Sequence, residues 1–300
     1  GSTSMGNILT KQFYRQRKDF EDSCAGRDAG LTFPEGVICS TDIAYADDGI
    51  KAHMLDIYRP EDSQEKVLPV IINVHGGGLI IGNKEFNRYF CALLCKKGFL
   101  VYSIEYRLIP DCLIYDQIAD VFIAMDYIKE RLAADGGDSS HVYMAGDSGG
   151  ACLITYANAI QNNTNIARAA NVTPSGLRIN ALGLISGMFY TSRFDKIGLF
   201  LPKYLYGRDY KKTPFAKYVN PENRELLNSL APVWLVTSHN DFLRRYTTDF
   251  EKALTRAERE HELVVFPKNK KLTHAFSVFE PFLPESSAVI DMMVEYLRKF

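Results

Sequence analysis

The sequence predicts an α/β fold, built on a mostly parallel sheet with helices on both faces. Apolar runs of strand length alternate with helical patterns along most of the chain, and the runs are too continuous for strands with one face in water. Two runs end in glycine-rich turns that carry polar side chains, at residues 75–78 (HGGG) and 146–150 (GDSGG). Turns at the carboxyl ends of parallel strands meet at one edge of a sheet, where α/β proteins bind ligands.

The elements follow in a regular order. A polar segment at 9–22 is compatible with a helix, and two β-rich stretches, 37–45 and 51–58, flank an Asp-Asp-Gly turn and predict a hairpin. The alternation that follows indicates a doubly wound sheet. Its predicted strands are 68–74, 99–106, 142–145, 179–186, 233–237 and 263–266, and its predicted helices are 87–97, 115–132, 151–161, 246–260 and 284–299.

Composition narrows the class of protein. With 300 residues, 46% of them hydrophobic, the chain can form one large domain with an insertion, which we favour over two average domains. Lysine plus arginine (35) nearly balance aspartate plus glutamate (36), so we expect no nucleic-acid partner and no stable membrane association. The six cysteines lack metal-ligand spacing, and no basic-then-apolar leader opens the chain, so we expect a cytoplasmic protein.

Residues 187–229 interrupt the alternation. No strand pattern occurs there, and nine phenylalanine and tyrosine residues crowd into the segment. Its position between two core strands favours an insertion above the carboxyl edge of the sheet that lines or covers a pocket. The alternative is a surface excursion with its own satellite core.

Ser148 is the candidate nucleophile. A buried strand precedes it and a helix follows, so the serine lies on a tight strand-to-helix turn. Gly146 and Gly150 flank it, as expected where backbone strain and close approach of strand and helix exclude side chains. The free N–H groups of the helix N-terminus point toward the same place.

A serine needs a base and an orienting acid to become a nucleophile. Of the six histidines, only His274 falls in a loop after the final strand, at the edge that carries Ser148. Asp241 directly follows the strand 233–237, whereas Asp249 lies two turns into a helix and would point elsewhere. His75 is expected to hold the glycine loop, and Asp147 to brace the turn at Ser148.

These residues resemble the hormone-sensitive-lipase-like carboxylesterases of the α/β-hydrolase superfamily. The resemblance rests on the segment 75–78 followed by Gly82, on 106–110 (YRLIP), on the turn 146–150, on 241–243 (DFL) and on His274. The order serine, aspartate, histidine is also that of α/β-hydrolases.

The resemblance implies an α/β-hydrolase fold: an eight-stranded, mostly parallel sheet flanked by helices, with a helical cap. By this analogy residues 36–186 and 230–300 form the catalytic core, and 5–35 and 187–229 form the cap. The N–H groups of Gly77, Gly78 and Gly149 would form the oxyanion hole.

The chain departs from the family pattern at two places. The family usually has alanine after the nucleophile where this chain has Gly149, so we expect Gly149→Ala to be tolerated, with unchanged or slightly higher turnover. Residues 111–115 (DCLIY) lack the usual acidic, proline-rich run, which puts contacts at the back wall of the site in doubt.

Three other readings compete. GDSGG is also the nucleophile signature of trypsin-like proteases, but those are all-β proteins whose histidine and aspartate precede the serine. A non-catalytic binding protein on this fold would be expected to have lost a triad residue, and all three are present. An amidase or peptidase acting on small substrates is the closest rival, because its acyl-transfer machinery is the same.

We therefore predict a serine carboxylesterase that hydrolyses small, short-to-medium acyl esters through Ser148, His274 and Asp241. The expected partner is a small-molecule ester, and the chemistry requires no metal or organic cofactor. A homodimer is compatible with this prediction.

Overall fold

The computed structural model describes residues 2–300, with side chains from residue 6, and contains an eight-stranded sheet. The order across the sheet is β1-β2-β4-β3-β5-β6-β7-β8. β2 is antiparallel to both β1 and β4, and the other neighbours are parallel. The predicted eight-stranded, mostly parallel sheet is confirmed. The strands are β1 Val37–Ala44, β2 Met54–Pro60, β3 Leu68–Val74, β4 Leu100–Ile104, β5 Gly137–Asp147, β6 Ala181–Ile185, β7 Val233–Ser238 and β8 His261–Phe266.

The strand that differs most from its predicted extent is β5, and the ends of the others shift by no more than a few residues. β5 begins at Gly137, five residues before the predicted run 142–145, because its first residues are polar and partly exposed while only its second half is covered by helices. β1 and β2 pair as predicted, but their register shifts between Ser40 and Ile43. An apolar run therefore marks the covered part of a strand and not its hydrogen-bonded ends.

Helices cover both faces of the sheet. α1 extends well beyond the predicted 9–22, since no proline interrupts it. α5 and α10 were not predicted, because helices this short show too little periodicity. Within residues 2–300, no helix combines the length and the apolar character needed to cross a bilayer. The helices are α1 Ser2–Ala29, α2 Arg88–Lys96, α3 Ile114–Arg131, α4 Gly149–Asn162, α5 Thr164–Ala170, α6 Lys196–Phe200, α7 Pro202–Tyr206, α8 Arg224–Asn228, α9 Arg244–Arg256, α10 Phe276–Phe279 and α11 Pro284–Leu297.

The hydrophobic core lies in two layers, one on each face of the sheet. Val70 and Ile72 of β3 pack with buried residues of α3 and α4. Ile71, which points to the opposite face, packs with α2 and α11. Because helices cover both faces of the sheet, a ligand can reach it at the carboxyl edge of the parallel strands. The turns after β3, β5, β7 and β8 lead there.

A buried lysine joins the first two strands to the segment after the glycine loop. The Lys84 Nζ lies 2.7 Å from Asp42, 2.8 Å from Asp56 and 2.6 Å from Glu85. Burial opposes the charge, but the hydrogen bonds that Lys84 donates to these carboxylates hold its pKa above the usual value. Asp56 is itself fully buried, so water does not stabilise the negative charge of its carboxylate. The Lys84 ammonium stabilises that charge instead.

We expect Lys84→Met to lower the free energy of unfolding by about 3–5 kcal/mol, because it leaves the buried Asp56 without its cation. Urea denaturation measures the loss. Adding Asp56→Asn to Lys84→Met should restore part of the stability, since the second change removes the unpaired charge. Equal stability of the single and double variants would contradict this account.

Candidate active site

Ser148 lies on a sharp turn between β5 and α4. Its φ of 50° and ψ of −118° form a backbone conformation that residues with side chains rarely adopt. A Cβ on Gly146 would lie 2.6 Å from the Val74 carbonyl oxygen, and one on Gly150 would lie 2.0 Å from it. Both neighbours must therefore be glycine, because the turn is pressed against the end of β3.

His274 and Asp241 converge on Ser148. Nε2 of His274 lies 3.1 Å from the Ser148 Oγ, and Nδ1 lies 2.7 Å from Oδ1 of Asp241. The three side chains come from turns after β5, β7 and β8. When the Nδ1–H is donated to Asp241, Nε2 is the nitrogen free to accept the serine proton.

The carboxyl group of Asp241 is buried but well supported. Its Oδ2 accepts a hydrogen bond from the Thr237 hydroxyl at 2.8 Å, and its Oδ1 accepts one from the Leu243 N–H at 2.9 Å. Burial alone would raise the pKa of Asp241, but His274 and the hydrogen bonds from Ser186 and Leu243 hold it below its usual value. The group is therefore a carboxylate at neutral pH.

The other candidates for acid and base are engaged elsewhere. Asp249 forms an ion pair with Arg193 at 2.8 Å, which agrees with the prediction that it points away. His53 is buried between Asp48 and Asp120, with ring nitrogens 2.6 and 2.7 Å from their carboxylates.

The loop that carries His274 is fixed by a residue that the sequence did not identify. Ser186, with a φ of 48°, accepts a hydrogen bond on its Oγ from the Ala275 N–H at 3.1 Å. On the other side, the Phe242 ring packs 4.7 Å from the His274 ring. No local pattern marks Ser186, because its contact is with a segment far along the chain.

The glycine loop offers unused N–H groups beside Ser148. Gly77 and Gly78 have φ values of 121° and 62°, and the Gly77 carbonyl accepts from the N–H groups of Ile80 and Ile81. No hydrogen bond within residues 2–300 uses the N–H of Gly77 or Gly78. Gly149 begins α4, so its N–H has no acceptor inside that helix.

The packing around Gly149 opposes the expectation that Gly149→Ala is tolerated. A Cβ on Gly149 would lie 2.8 Å from the backbone nitrogen of Leu79 and 3.2 Å from that of Gly78. Both neighbours are backbone atoms, so the glycine loop would have to move. The first turn of α4 and the loop are packed more closely here than alanine allows.

Asp147 braces the turn at Ser148 against the glycine loop, as predicted. Its Oδ1 accepts the Gly76 N–H at 3.1 Å and the Asn87 side-chain N–H at 3.1 Å. The same Asn87 nitrogen donates to Oδ1 of Asn73 at 2.9 Å. Burial raises the pKa of Asp147 despite these hydrogen bonds. The sequence did not identify Asn87, which lies outside both glycine motifs.

His75 holds the base of the glycine loop. Its Nδ1 lies 2.7 Å from the Gly76 carbonyl, and its Nε2 lies 2.7 Å from Oε1 of Glu105. Its ring stacks on Tyr106 with the centroids 4.4 Å apart. Burial opposes protonation, but Glu105 raises the pKa of His75. With both nitrogens engaged, its predicted structural role is confirmed.

A largely apolar cavity of about 810 Å³ opens in front of Ser148. The helix α1 lines it with side chains spaced three or four residues apart, which is one face of a helix. That spacing is visible in the sequence and could have identified them. α1 contributes Leu9, Gln12, Phe13, Gln16 and Phe20, and the insertion contributes Met188, Lys196, Ile197, Phe200 and Leu201.

Most aromatic residues of the insertion do not face the cavity. Among residues 187–229, all of which the structure describes, Phe200 is the one aromatic side chain that lines it. Tyr206, Phe215 and Tyr218 instead form a buried cluster with Tyr156 of α4, whose hydroxyl donates to the Tyr218 carbonyl at 2.9 Å. These aromatics therefore extend the core on one face of the sheet and do not form a separate satellite core, while other residues of the insertion line the cavity.

Polar contacts fix α1 over the cavity. Asp111 accepts hydrogen bonds from the Tyr14 hydroxyl at 2.5 Å and from Arg17 at 3.2 Å. Further along the helix, Arg27 donates to the Phe86 carbonyl at 2.7 Å. Asp111 belongs to the segment 111–115 that departs from the family pattern, so here this segment anchors α1.

Comparison with known proteins agrees with this architecture. Residues 71–277 match the family described as alpha/beta hydrolase fold. A probable isoprenylcysteine alpha-carbonyl methylesterase from Oryza sativa subsp. japonica is 29% identical over 184 residues, which make up 58% of this chain and 44% of that protein. The chain thus spans less than half the length of this relative.

Two solved structures share the fold along almost the whole chain. Esterase B from Lactobacillus rhamnosis (HN001) has a TM-score of 0.92 at 21% identity, covering 99% of this chain and 96% of that one. A structure of the same esterase inhibited by a C4-C4 SN3 tributyrin phosphonate has a TM-score of 0.91 at 22% identity, covering 98% and 95%. At identities of 21% and 22%, this structural similarity establishes the fold alone.

We expect Gly149→Ala to slow the reaction of Ser148 with an organophosphate roughly 10- to 100-fold, because displacing the loop would move the N–H groups that are expected to bind the oxyanion. Intact-protein mass spectrometry gives the labelling rate. Gly26→Ala is the matched control, since a Cβ there meets nothing within 4 Å. A wild-type rate in a folded Gly149→Ala variant would contradict the close packing.

Proposed function

This chain belongs to the hormone-sensitive-lipase-like family of the alpha/beta hydrolase fold, and from that premise we propose that it is a serine carboxylesterase. Its substrates are small esters with short-to-medium acyl chains. One observation carries the proposal: a hydrogen-bonded line runs from Asp241 through His274 to Ser148 at the wall of an apolar cavity.

The first half of the reaction acylates the serine. The Nε2 of His274 takes the proton from the Ser148 Oγ as this oxygen attacks the ester carbonyl carbon. Asp241 fixes the imidazole tautomer and stabilises the imidazolium that forms. His274 then gives the proton to the leaving alkoxide, so the alcohol departs and an acyl-enzyme remains.

The second half regenerates the enzyme. His274 takes a proton from water, the resulting hydroxide attacks the acyl carbon, and the proton passes back to the Ser148 oxygen as the carboxylic acid leaves. In both halves the negative oxygen of the tetrahedral intermediate accepts hydrogen bonds from the N–H groups of Gly77, Gly78 and Gly149. The unused N–H groups of the loop and its positive φ angles, which glycine adopts without strain, support this assignment.

The size of the cavity supports a small substrate. Its volume of about 810 Å³ falls within the range of roughly 300–1,000 Å³ that is typical of small-molecule sites. The similar esterase B carries a tributyrin phosphonate in one structure, which supports butyryl-sized acyl groups. The rice relative named as a methylesterase supports the hydrolysis of esters with small alcohols.

Residues 5–35 and 187–229 form, in this proposal, a cap over a core made of 36–186 and 230–300. The support is that α1 and the insertion line one cavity and contact each other, with the Phe13 ring packed edge-on against Tyr204 at 5.1 Å. The cap would exclude water from long acyl chains and set the preferred chain length.

Ser148→Ala should fold normally and lose esterase turnover by several orders of magnitude, because both chemical steps pass through the Ser148 oxygen.

Asp241→Asn should lower esterase turnover roughly 10⁴-fold, since the asparagine favours the wrong tautomer of His274. Asp249→Asn is the matched control and should keep wild-type turnover. Rates with p-nitrophenyl butyrate, compared with the matching anilide, test the triad and separate an esterase from an amidase. Loss in Asp249→Asn with full activity in Asp241→Asn would reassign the acid.

Phe13→Ala should lower the ratio of kcat/KM for hexanoate to that for acetate by about tenfold. Hexanoate has four methylenes more than acetate, and loss of the Phe13 ring should expose about two of them, each worth about 0.8 kcal/mol when buried. Ile8→Ala, on the exposed side of the same helix, is the control. Steady-state kinetics with p-nitrophenyl esters give the ratio. An unchanged ratio in folded Phe13→Ala would remove α1 from the acyl pocket.

A further inference from the structure

The surface of the insertion carries large apolar side chains in water. Phe194 is 95% exposed, and Leu199 and Phe200 are each 55% exposed. Leu199 and Phe200 line one cleft and Phe194 precedes Leu199 by five positions, in contrast to the scattered single exposures that are normal on a protein surface. Exposed apolar patches mark interaction sites.

Cations surround these apolar residues in the sequence. The segment 194–212, called here the insertion face, contains five basic residues and two acidic ones, a net charge of +3 in a chain whose total is −1. In the part of the chain that the structure describes, none of the five basic side chains forms an ion pair, whereas Asp195 accepts hydrogen bonds from Tyr246 and Gly198. The five are Lys196, Lys203, Arg208, Lys211 and Lys212.

The apolar and cationic groups share one surface. A shallow cleft of about 370 Å³ is lined by Leu199 and Phe200 together with Lys203, Lys211 and Lys212. A partner bound to this cleft would therefore contact apolar and cationic side chains together. Apolar residues flanked by lysine and arginine are typical of segments that lie in the interface of a bilayer.

The insertion face is continuous with the mouth of the cavity. Phe200 and Lys196 line the cavity that contains Ser148. Phe242, which also lines it and packs on the His274 ring, is 75% exposed. A partner seated on the insertion face would thus sit at the entrance to the site.

We propose that the insertion face docks reversibly on a bilayer that contains anionic lipid. Phe194, Leu199 and Phe200 enter the headgroup region, and the cations contact lipid phosphates, each contributing about 1 kcal/mol near the surface. Docking requires no catalysis, so it goes beyond the proposed function. In this orientation the cavity mouth faces the layer into which apolar esters partition.

A second copy of the chain fits this surface less well. A two-fold dimer would bring +3 against +3, and like charges oppose such pairing. The composition argument missed the surface because a net charge of −1 averages the insertion face with the rest of the chain. Binding of this kind is peripheral and needs no spanning helix.

The test is co-sedimentation with vesicles of phosphatidylcholine containing about 30% phosphatidylglycerol, against pure phosphatidylcholine, at low and high salt. We expect at least about tenfold stronger binding to the anionic vesicles, lost near 0.5 M salt as screening increases. Lys211→Glu/Lys212→Glu should abolish the preference, and Phe194→Ser should weaken binding to both compositions.

Lys66→Glu/Lys129→Glu is the matched control. It makes the same change in net charge at exposed lysines near the opposite edge of the sheet, one before β3 and one near the end of α3, and should bind like wild type. Ser148→Ala should also bind, which separates docking from catalysis.

Equal binding to both vesicle types, or wild-type binding by Lys211→Glu/Lys212→Glu, would overturn the proposal. Dimerisation by sedimentation equilibrium that Phe194→Ser abolishes, with no vesicle binding, would overturn it in favour of self-association. Unchanged hydrolysis of p-nitrophenyl acetate by the charge-reversal variants confirms that they are folded.

Discussion

The contact between the end of β3 and the turn at Ser148 is the constraint on which the site depends. The Val74 carbonyl leaves no room for a Cβ at Gly146 or Gly150. Two segments about seventy residues apart in sequence are therefore held in direct contact. This contact fixes the position of Ser148 relative to the free N–H groups of the glycine loop. The positive φ at Ser148 is held by the neighbouring strand end, where the Ile185 carbonyl accepts the Ser148 N–H at 2.9 Å. Strain at the turn is thus sustained by the sheet.

Residues that act through their own backbone or their place at a strand end could be predicted from the sequence. The positions of Asp241 and His274 after their strands, and the glycines around Ser148, follow from chain order and steric necessity. Ser186 and Asn87 could not be predicted, because each reaches the site only through contacts with distant segments. The close packing at position 149 was hidden for the same reason: a family preference for alanine says nothing about how closely Leu79 approaches in this chain.

The sheet and its covering helices were predicted because periodicity reports burial, and the aromatic residues of the insertion follow the same rule. Aromatic density marked a place where side chains are buried, not a place where they meet a ligand. Tyr206, Phe215 and Tyr218 are buried against Tyr156, so they attach the insertion to the helix that begins beside Ser148. The cavity is instead lined by residues such as Ile197 and Leu201, which have no distinctive pattern.

The two segments over the cavity are held by different combinations of contacts, and this changes how salt would act on each. α1 combines buried packing, such as Phe13 against Tyr204, with partly exposed polar contacts, such as Arg17 with Asp111, and salt screens the polar contacts. The insertion depends on buried aromatic packing, which salt leaves intact, while its outward cations are fully open to screening. Raising salt would therefore loosen α1 and weaken lipid docking together. Charge reversal at Lys211 and Lys212 separates the two effects, because these residues line the outer cleft and not the wall that α1 contacts.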